Sequence, residues 1–131
     1  MAEGKVLTGA GLRGQVAGKT ALSTVGKSGA GLTYRGYDVQ DLAENCQFEE
    51  VAYLIFFGEL PTAVQLTAYK AKLKSLRQLP QALKEVLERI PADSHPMDVM
   101  RTGVSMLGNL ETEQSFAEQQ DVADRILATL P

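Results

Sequence analysis

The chain has 131 residues, 44% hydrophobic and 22% charged, the balance of one ordinary globular domain or of a piece of a larger one. Thirteen basic residues against sixteen acidic ones leave a net charge of −3. That excludes the basic excess by which a chain draws its affinity from nucleic-acid phosphates or an anionic membrane. No apolar run of about 18 residues spans a bilayer, and Met1-Ala2-Glu3-Gly4-Lys5 lacks the apolar core of a secretory signal. One cysteine, Cys46, rules out an internal disulfide or a zinc site built on several thiolates, and fits a reducing cytoplasm. One histidine, His95, means that no mechanism needing two imidazoles is complete in this chain.

Residues 1–18 hold Gly4, Gly9, Gly11, Gly14 and Gly18 with little periodicity. Glycine costs about 1 kcal/mol per helical position against alanine, so this stretch reads as a flexible N-terminal arm. Thr20–Val25 alternates small polar and apolar side chains, Gly26–Gly31 tolerates positive φ, and Leu32–Arg35 favours extended backbone. Together they predict a small hairpin that must pack on something larger. From Asp38 onward the pattern is helical. Asp38 caps Val39–Glu44, and Phe48–Phe57 is apolar nearly all round, so it should be buried on most faces. Gly58 and Pro61 stop it.

Thr62 caps an amphipathic helix reaching to about Leu79, with Leu66, Tyr69, Leu73 and Leu76 inward and Lys70, Lys72, Lys74 and Arg77 mostly toward water. Pro80 starts Gln81–Ile90, and Pro91 ends it. Ser94-His95-Pro96 reads as a cap serine and a first-turn proline before Met97–Leu107, which Gly108-Asn109 stops. Residues 112–116 form a polar loop. Gln120–Leu130 is a last helix with Val122, Ile126, Leu127 and Leu130 inward, its apolar stripe still running at Pro131. The expected fold is mainly α, some six helices with a small N-terminal β-hairpin.

Few residues carry chemistry. Ala21–Ser28 matches a relaxed phosphate-loop pattern, with alanine for the first glycine, and Gly14–Thr20 is one residue short of one. A phosphate loop needs a buried strand before it and a helix after it. Here Gly29-Ala30-Gly31 follows, so a hairpin turn is the better reading. His95 is a candidate general base, but its place is equally a structural helix start. Cys46 lacks the neighbouring cation of a reactive thiol and reads as packing. Lys70–Arg77 reads as a solvated face. Tyr34-Arg35-Gly36-Tyr37 suits pinning the hairpin to the helices by stacking and hydrogen bonds better than contacting a ligand.

Three stretches carry more than composition. Gly11-Leu12-Arg13-Gly14 with Thr20–Val25 and Tyr34–Asp38, then Phe48–Leu54 with Gly58–Thr62, then Ser94–Gly103 resemble, in order and spacing, the N-terminal part of the citrate synthase family. Ala17–Gly29 and Ser94–Ser105 are most similar to the bacterial branch that condenses propionyl-CoA with oxaloacetate; acetyl-CoA is the near alternative. The resemblance implies that residues 19–131 form a helical segment of the family's large domain, roughly the first third of an acyltransferase, with the small domain and the active site missing. In the family two histidines and an aspartate catalyse, and they lie downstream of the matched segment. No catalytic, cofactor-binding or metal-binding residue is therefore assigned here, Arg13 included, and no cofactor. The resemblance also implies a homodimer and a 131-residue chain that is inactive alone, and the acidic balance speaks against a nucleic-acid or membrane partner. On the residues alone, a non-catalytic helical interaction module and, more remotely, a nucleotide-binding protein stay open.

Overall fold

The computed structural model describes residues 18–26 and 31–131; the N-terminal arm up to residue 17, the Gly14–Thr20 near-match for the most part, and the Lys27-Ser28 end of the phosphate-loop-like stretch lie outside them. The hairpin reading holds and extends. Strands β1 (Ser23–Val25), β2 (Leu32–Tyr34) and β3 (Tyr37–Asp38) make an antiparallel sheet in that order, with Thr24 opposite Thr33 and their hydroxyls 2.5 Å apart. The two residues of β3 are too few to show a period of two, and the sequence reading missed that strand. Arg35 and Gly36 join β2 to β3 with φ of 50° and 93°, the positive pair that a two-residue hairpin turn requires.

The turn also fastens the sheet to the helices. Arg35 donates from Nη2 (2.8 Å) and Nε (3.3 Å) to the Ile55 carbonyl. That oxygen lies in the last turn of a helix, where carbonyls have no partner within the helix. The pinning role expected of Tyr34–Tyr37 thus falls to the guanidinium.

Six α-helices follow: α1 (Val39–Asn45), α2 (Phe48–Phe57), α3 (Ala63–Ser75), α4 (Gln81–Leu87), α5 (Pro96–Leu110) and α6 (Gln119–Thr129), with a short 3₁₀ turn, Phe116–Glu118, before the last. Local chemistry sets their ends. Asp38 Oδ1 accepts from the Gln40 N–H at 2.8 Å, and the Gln47 N–H donates to Glu50 Oε2 at 2.7 Å. Gly58 stops α2 at φ 92°, its N–H bonded to the Leu54 carbonyl. Thr62 and Gln65 cap each other at the start of α3.

Three boundaries differ from expectation. α3 ends at Ser75 instead of running to Leu79, because the Leu76 and Arg77 N–H groups turn back to Leu73 and Lys74. α4 tightens after Leu87, where Arg89 and Ile90 bond three residues back, so it stops short of Ile90. α5 runs through Gly108 and Asn109 to Leu110. The Asn109 amide donates to the Ser105 carbonyl at 2.8 Å, so the side chain joins the helix rather than ending it.

The core lies where α2, α3 and α6 meet. Ala52, Tyr69, Leu73 and Ala128 are buried together, with Tyr53, Leu76 and Leu127 against them. Tyr53, Phe57 and Tyr69 form an aromatic cluster with ring centres 4.3–6.0 Å apart. α2 does not meet the expectation of burial on most faces. Only Ala52 and Leu54 are buried, while Phe48 (63% exposed), Phe56 and Phe57 face outward. Leu130, expected inward, is also exposed.

The Arg35 contact yields a test. A hydrogen bond to a charged donor contributes about 1.5–3 kcal/mol, so Arg35→Ala should lower stability in urea unfolding by about 2 kcal/mol, and Arg35→Lys by less.

Candidate functional site

The one buried charged residue among the described residues is Asp124, fully shielded on α6. Gln120, Asp124 and Ala128 recur every four residues, which places them on one face of that helix. The matching face of α3 carries Tyr69, Lys72 and Leu73. Asp124 Oδ1 accepts from the Tyr69 hydroxyl at 2.9 Å and from Gln120 Nε2 at 3.2 Å, and Oδ2 accepts from Lys72 Nζ at 2.7 Å. Lys72 also reaches Asp121 at 2.9 Å. The sequence reading sent Lys72 to water and overlooked Asp124. Counting only apolar residues selected Val122, Ile126, Leu127 and Leu130, of which Leu127 does pack on the core, while Val122 and Ile126, two residues from Asp124, lie on the far side of α6. The available signal was the shared four-residue spacing of Gln120, Asp124 and Ala128, opposite a tyrosine and a lysine three apart on α3.

The environment polarises these groups. Burial first, then the hydrogen bond to Asp124, pushes the Tyr69 hydroxyl far above its ordinary range, so it stays protonated and donates to Asp124. The hydrogen bonds to Asp124 and Asp121 raise the Lys72 ammonium. One residue on, Arg125 makes a second joint. Its Nε and Nη2 meet the two oxygens of Glu111 at 2.8 and 2.6 Å, and Nη1 donates to the Leu76 carbonyl. The guanidinium thus joins the C-terminal ends of α3 and α5, where cations are favoured, and its hydrogen bonds hold the Glu111 carboxyl below the usual carboxylate range.

Two open grooves flank this assembly. One, about 520 Å³, runs over Leu76, Val104, Leu107, Val122 and Ile126, with Glu111 and Asp121 at its rim. The other, about 600 Å³, lies over Leu83, Leu87, Val99, Met100 and Leu130. Both are lined mainly by apolar side chains.

The remaining candidates resolve into structural parts. His95, not Ser94, caps α5: its Nδ1 accepts from the Met97 N–H at 3.2 Å, while the Ser94 N–H turns back to the Pro91 carbonyl. A ring nitrogen engaged as a cap acceptor is not poised as a general base. Cys46 is half-buried at the end of α1, and burial, then Glu50, pushes its thiol up, away from the thiolate. Among the described residues no three His, Cys, Asp or Glu side chains gather as a metal site. Enol formation from a thioester needs a carboxylate open to substrate and a donor at the thioester oxygen. Asp124 is closed to solvent and saturated by three donors, so it holds helices rather than performing that step.

Residues 11–131 match the family model described as citrate synthase, C-terminal domain. The chain is 76% identical over all 131 residues to the 2-methylcitrate synthase of Shewanella oneidensis, covering 35% of it. It is 45% identical over 124 residues to 2-methylcitrate synthase 2 of Corynebacterium glutamicum, covering 92% of this chain and 32% of that one. Among solved structures, the citrate synthase of Thermoplasma acidophilum, in ternary complex with carboxymethyl coenzyme A and oxaloacetate, superposes with a TM-score of 0.80 at 27% identity, covering 90% of this chain and 32% of that one. The chain spans about a third of the length of each of these relatives.

Removing one partner of a buried ion pair typically costs about 3–5 kcal/mol. With Lys72 partly exposed, Asp124→Ala should cost about 3 kcal/mol in urea unfolding. A double-mutant cycle with Lys72→Met should show a coupling of about 1–3 kcal/mol. The pH dependence has a definite sign. Lys72 and Tyr69 both titrate higher in the folded chain, so their contribution is complete below the ordinary lysine and tyrosine values, about 10. It is lost as the pH rises through the higher folded values. Stability measured from pH 8 to 12 should fall more steeply in the parent chain than in the double variant.

Proposed function

We propose a function from one premise: the chain belongs to the citrate synthase family. The whole protein is a 2-methylcitrate synthase, condensing propionyl-CoA with oxaloacetate and water to give 2-methylcitrate and CoA in propionate breakdown. The observation that carries this reading is the 76% identity along all 131 residues to a 2-methylcitrate synthase.

In that reading residues 19–131 are a helical segment of the large domain, and residues 1–18 its N-terminal arm. Catalysis needs a carboxylate at the acyl α-carbon, a donor at the thioester oxygen, a group that polarises the ketone of oxaloacetate, and arginines for its two carboxylates. In that reading none of those roles is assigned to this segment. Its part is to hold the frame: the Asp124 and Arg125 joints fix α3, α5 and α6, and Arg35 fixes the sheet to α2.

The protein acts as a homodimer. Phe48, Phe56 and Phe57 on α2 and Met97, Met100 and Val104 on α5 are exposed apolar side chains that a second subunit or further chain would cover. The single cysteine supports a cytoplasmic setting, and no helix among the described residues is long and apolar enough to cross a membrane. Citrate synthase activity on acetyl-CoA is the second reading, favoured by the superposition on the Thermoplasma enzyme.

Release of free CoA thiol in the presence of oxaloacetate separates these readings. The 131-residue chain alone should show no release above background. The longer protein that contains it should turn over both thioesters, with the higher kcat/KM on propionyl-CoA. A higher value on acetyl-CoA would make it a citrate synthase, and turnover by the isolated chain would refute the scaffold assignment.

A further inference from the structure

The groove of about 520 Å³ joins an apolar floor to an acidic rim. Val104 and Leu107 of α5 stand three residues apart, and Val122 and Ile126 of α6 four apart, so each pair turns one helix face to the same cleft. Around it lie Glu111, Glu113, Glu118 and Asp121 against one cation, Arg125. Four carboxylates and one guanidinium leave this rim at −3, which is the net charge of the entire chain, so the rest of the chain balances. Arg125 is committed to Glu111, and Lys72 to Asp124 and Asp121. Among the described residues Glu113 and Glu118 meet no cation, and Phe116, between them in the chain, is 82% exposed.

The same face of a second copy does not suit this groove. A two-fold contact lays a patch on itself, which here would oppose carboxylates to carboxylates across a desolvated seam. An apolar floor with a negative edge calls for a cationic amphipathic occupant. A cleft between two helices takes a third helix, seated by apolar side chains three and four residues apart. We infer that a helix from the part of the longer protein outside residues 1–131 fills this groove, with its apolar stripe on Val104, Leu107, Val122 and Ile126 and its lysines or arginines on Glu113, Glu118 and Asp121. The inference rests on the reading of this chain as a segment of a longer synthase, 35% of the length of its 76%-identical relative. A segment tethered to the groove reaches it at an effective concentration of about millimolar, so it takes the site ahead of a separate basic protein. Seated there, it shields the Glu111–Arg125 pair from water and adds a further helix to the α3–α5–α6 joint.

Carboxyl labelling with glycine ethyl ester and a water-soluble carbodiimide reads the cover. Glu113 and Glu118 should react about tenfold or more slowly in the longer protein than in the 131-residue chain. Glu113→Lys sets a cation against those of the helix, so in the longer protein it should speed labelling of Glu118 by about threefold or more, relative to the same variant of the 131-residue chain. With the amine omitted, carbodiimide links from Glu113 or Glu118 should run to lysines outside residues 1–131, in material that migrates as a single polypeptide under denaturing conditions. Equal labelling in the two proteins would overturn the proposal, as would an unaltered rate at Glu118 in the variant or links found only in covalent dimers. With no lysine in reach, the two labelling rates decide the case. Turnover of either thioester by the longer protein tests the family reading separately, so free labelling of Glu113 in an active enzyme would refute this inference alone.

Discussion

The seat of α6 on α3 depends on one buried carboxylate. Asp124 is closed to solvent, and an ionised group in that position is tolerated only if its oxygens are satisfied. Tyr69, Lys72 and Gln120 satisfy them. The demand is directional in a way that apolar packing is not: α6 can rotate or slide on Leu73 at modest cost, but not without stripping the Asp124 oxygens of their donors. The carboxylate therefore fixes the register of α6 on α3. Arg125, one residue on, then falls against the ends of α3 and α5 together. The joint specifies an arrangement more than it adds stability, since an apolar replacement of a buried pair is often as stable.

That division of labour explains why so few side chains here look like chemistry. Groups able to move protons or attack a carbonyl must be open to substrate and incompletely satisfied. Here the tyrosine is a committed donor, the thiol is pushed away from its reactive form, and the histidine lends a ring nitrogen to the Met97 amide. The tyrosine joins two helices and the histidine closes one.

The hairpin, the six helices and some of their ends were legible in the sequence, because those features rest on local rules: Asp38, Gly58, Thr62 and Pro96 act within a few residues of themselves. The misses share a different cause. The end of α3 and the passage of α5 through Gly108-Asn109 depend on backbone groups finding partners, which no residue type announces. The Asp124 joint depends on two helices some fifty residues apart meeting at matching spacings. A pattern built on apolar residues treats aspartate as a mark of the solvent face, so it pointed away from the most deeply buried side chain of α6. The exposure of Phe48 and Phe57 on α2 is the reverse case. The sequence states that the helix needs cover, and cannot state from where the cover comes.

The residues that reveal the family are telling for the same reason. Tyr34–Asp38 contains the two positive-φ positions of the β2–β3 turn, the Arg35 pin and the α1 cap. Gly58–Thr62 contains the stop of α2 and the cap of α3. Ser94–Gly103 opens with the His95 cap of α5. These are boundary positions, where backbone angle or a single acceptor atom admits few residue types. An interior position such as Leu73 admits other apolar side chains of about the right size. A family can therefore be recognised from the corners of its frame, because they constrain sequence as tightly as a catalytic group does.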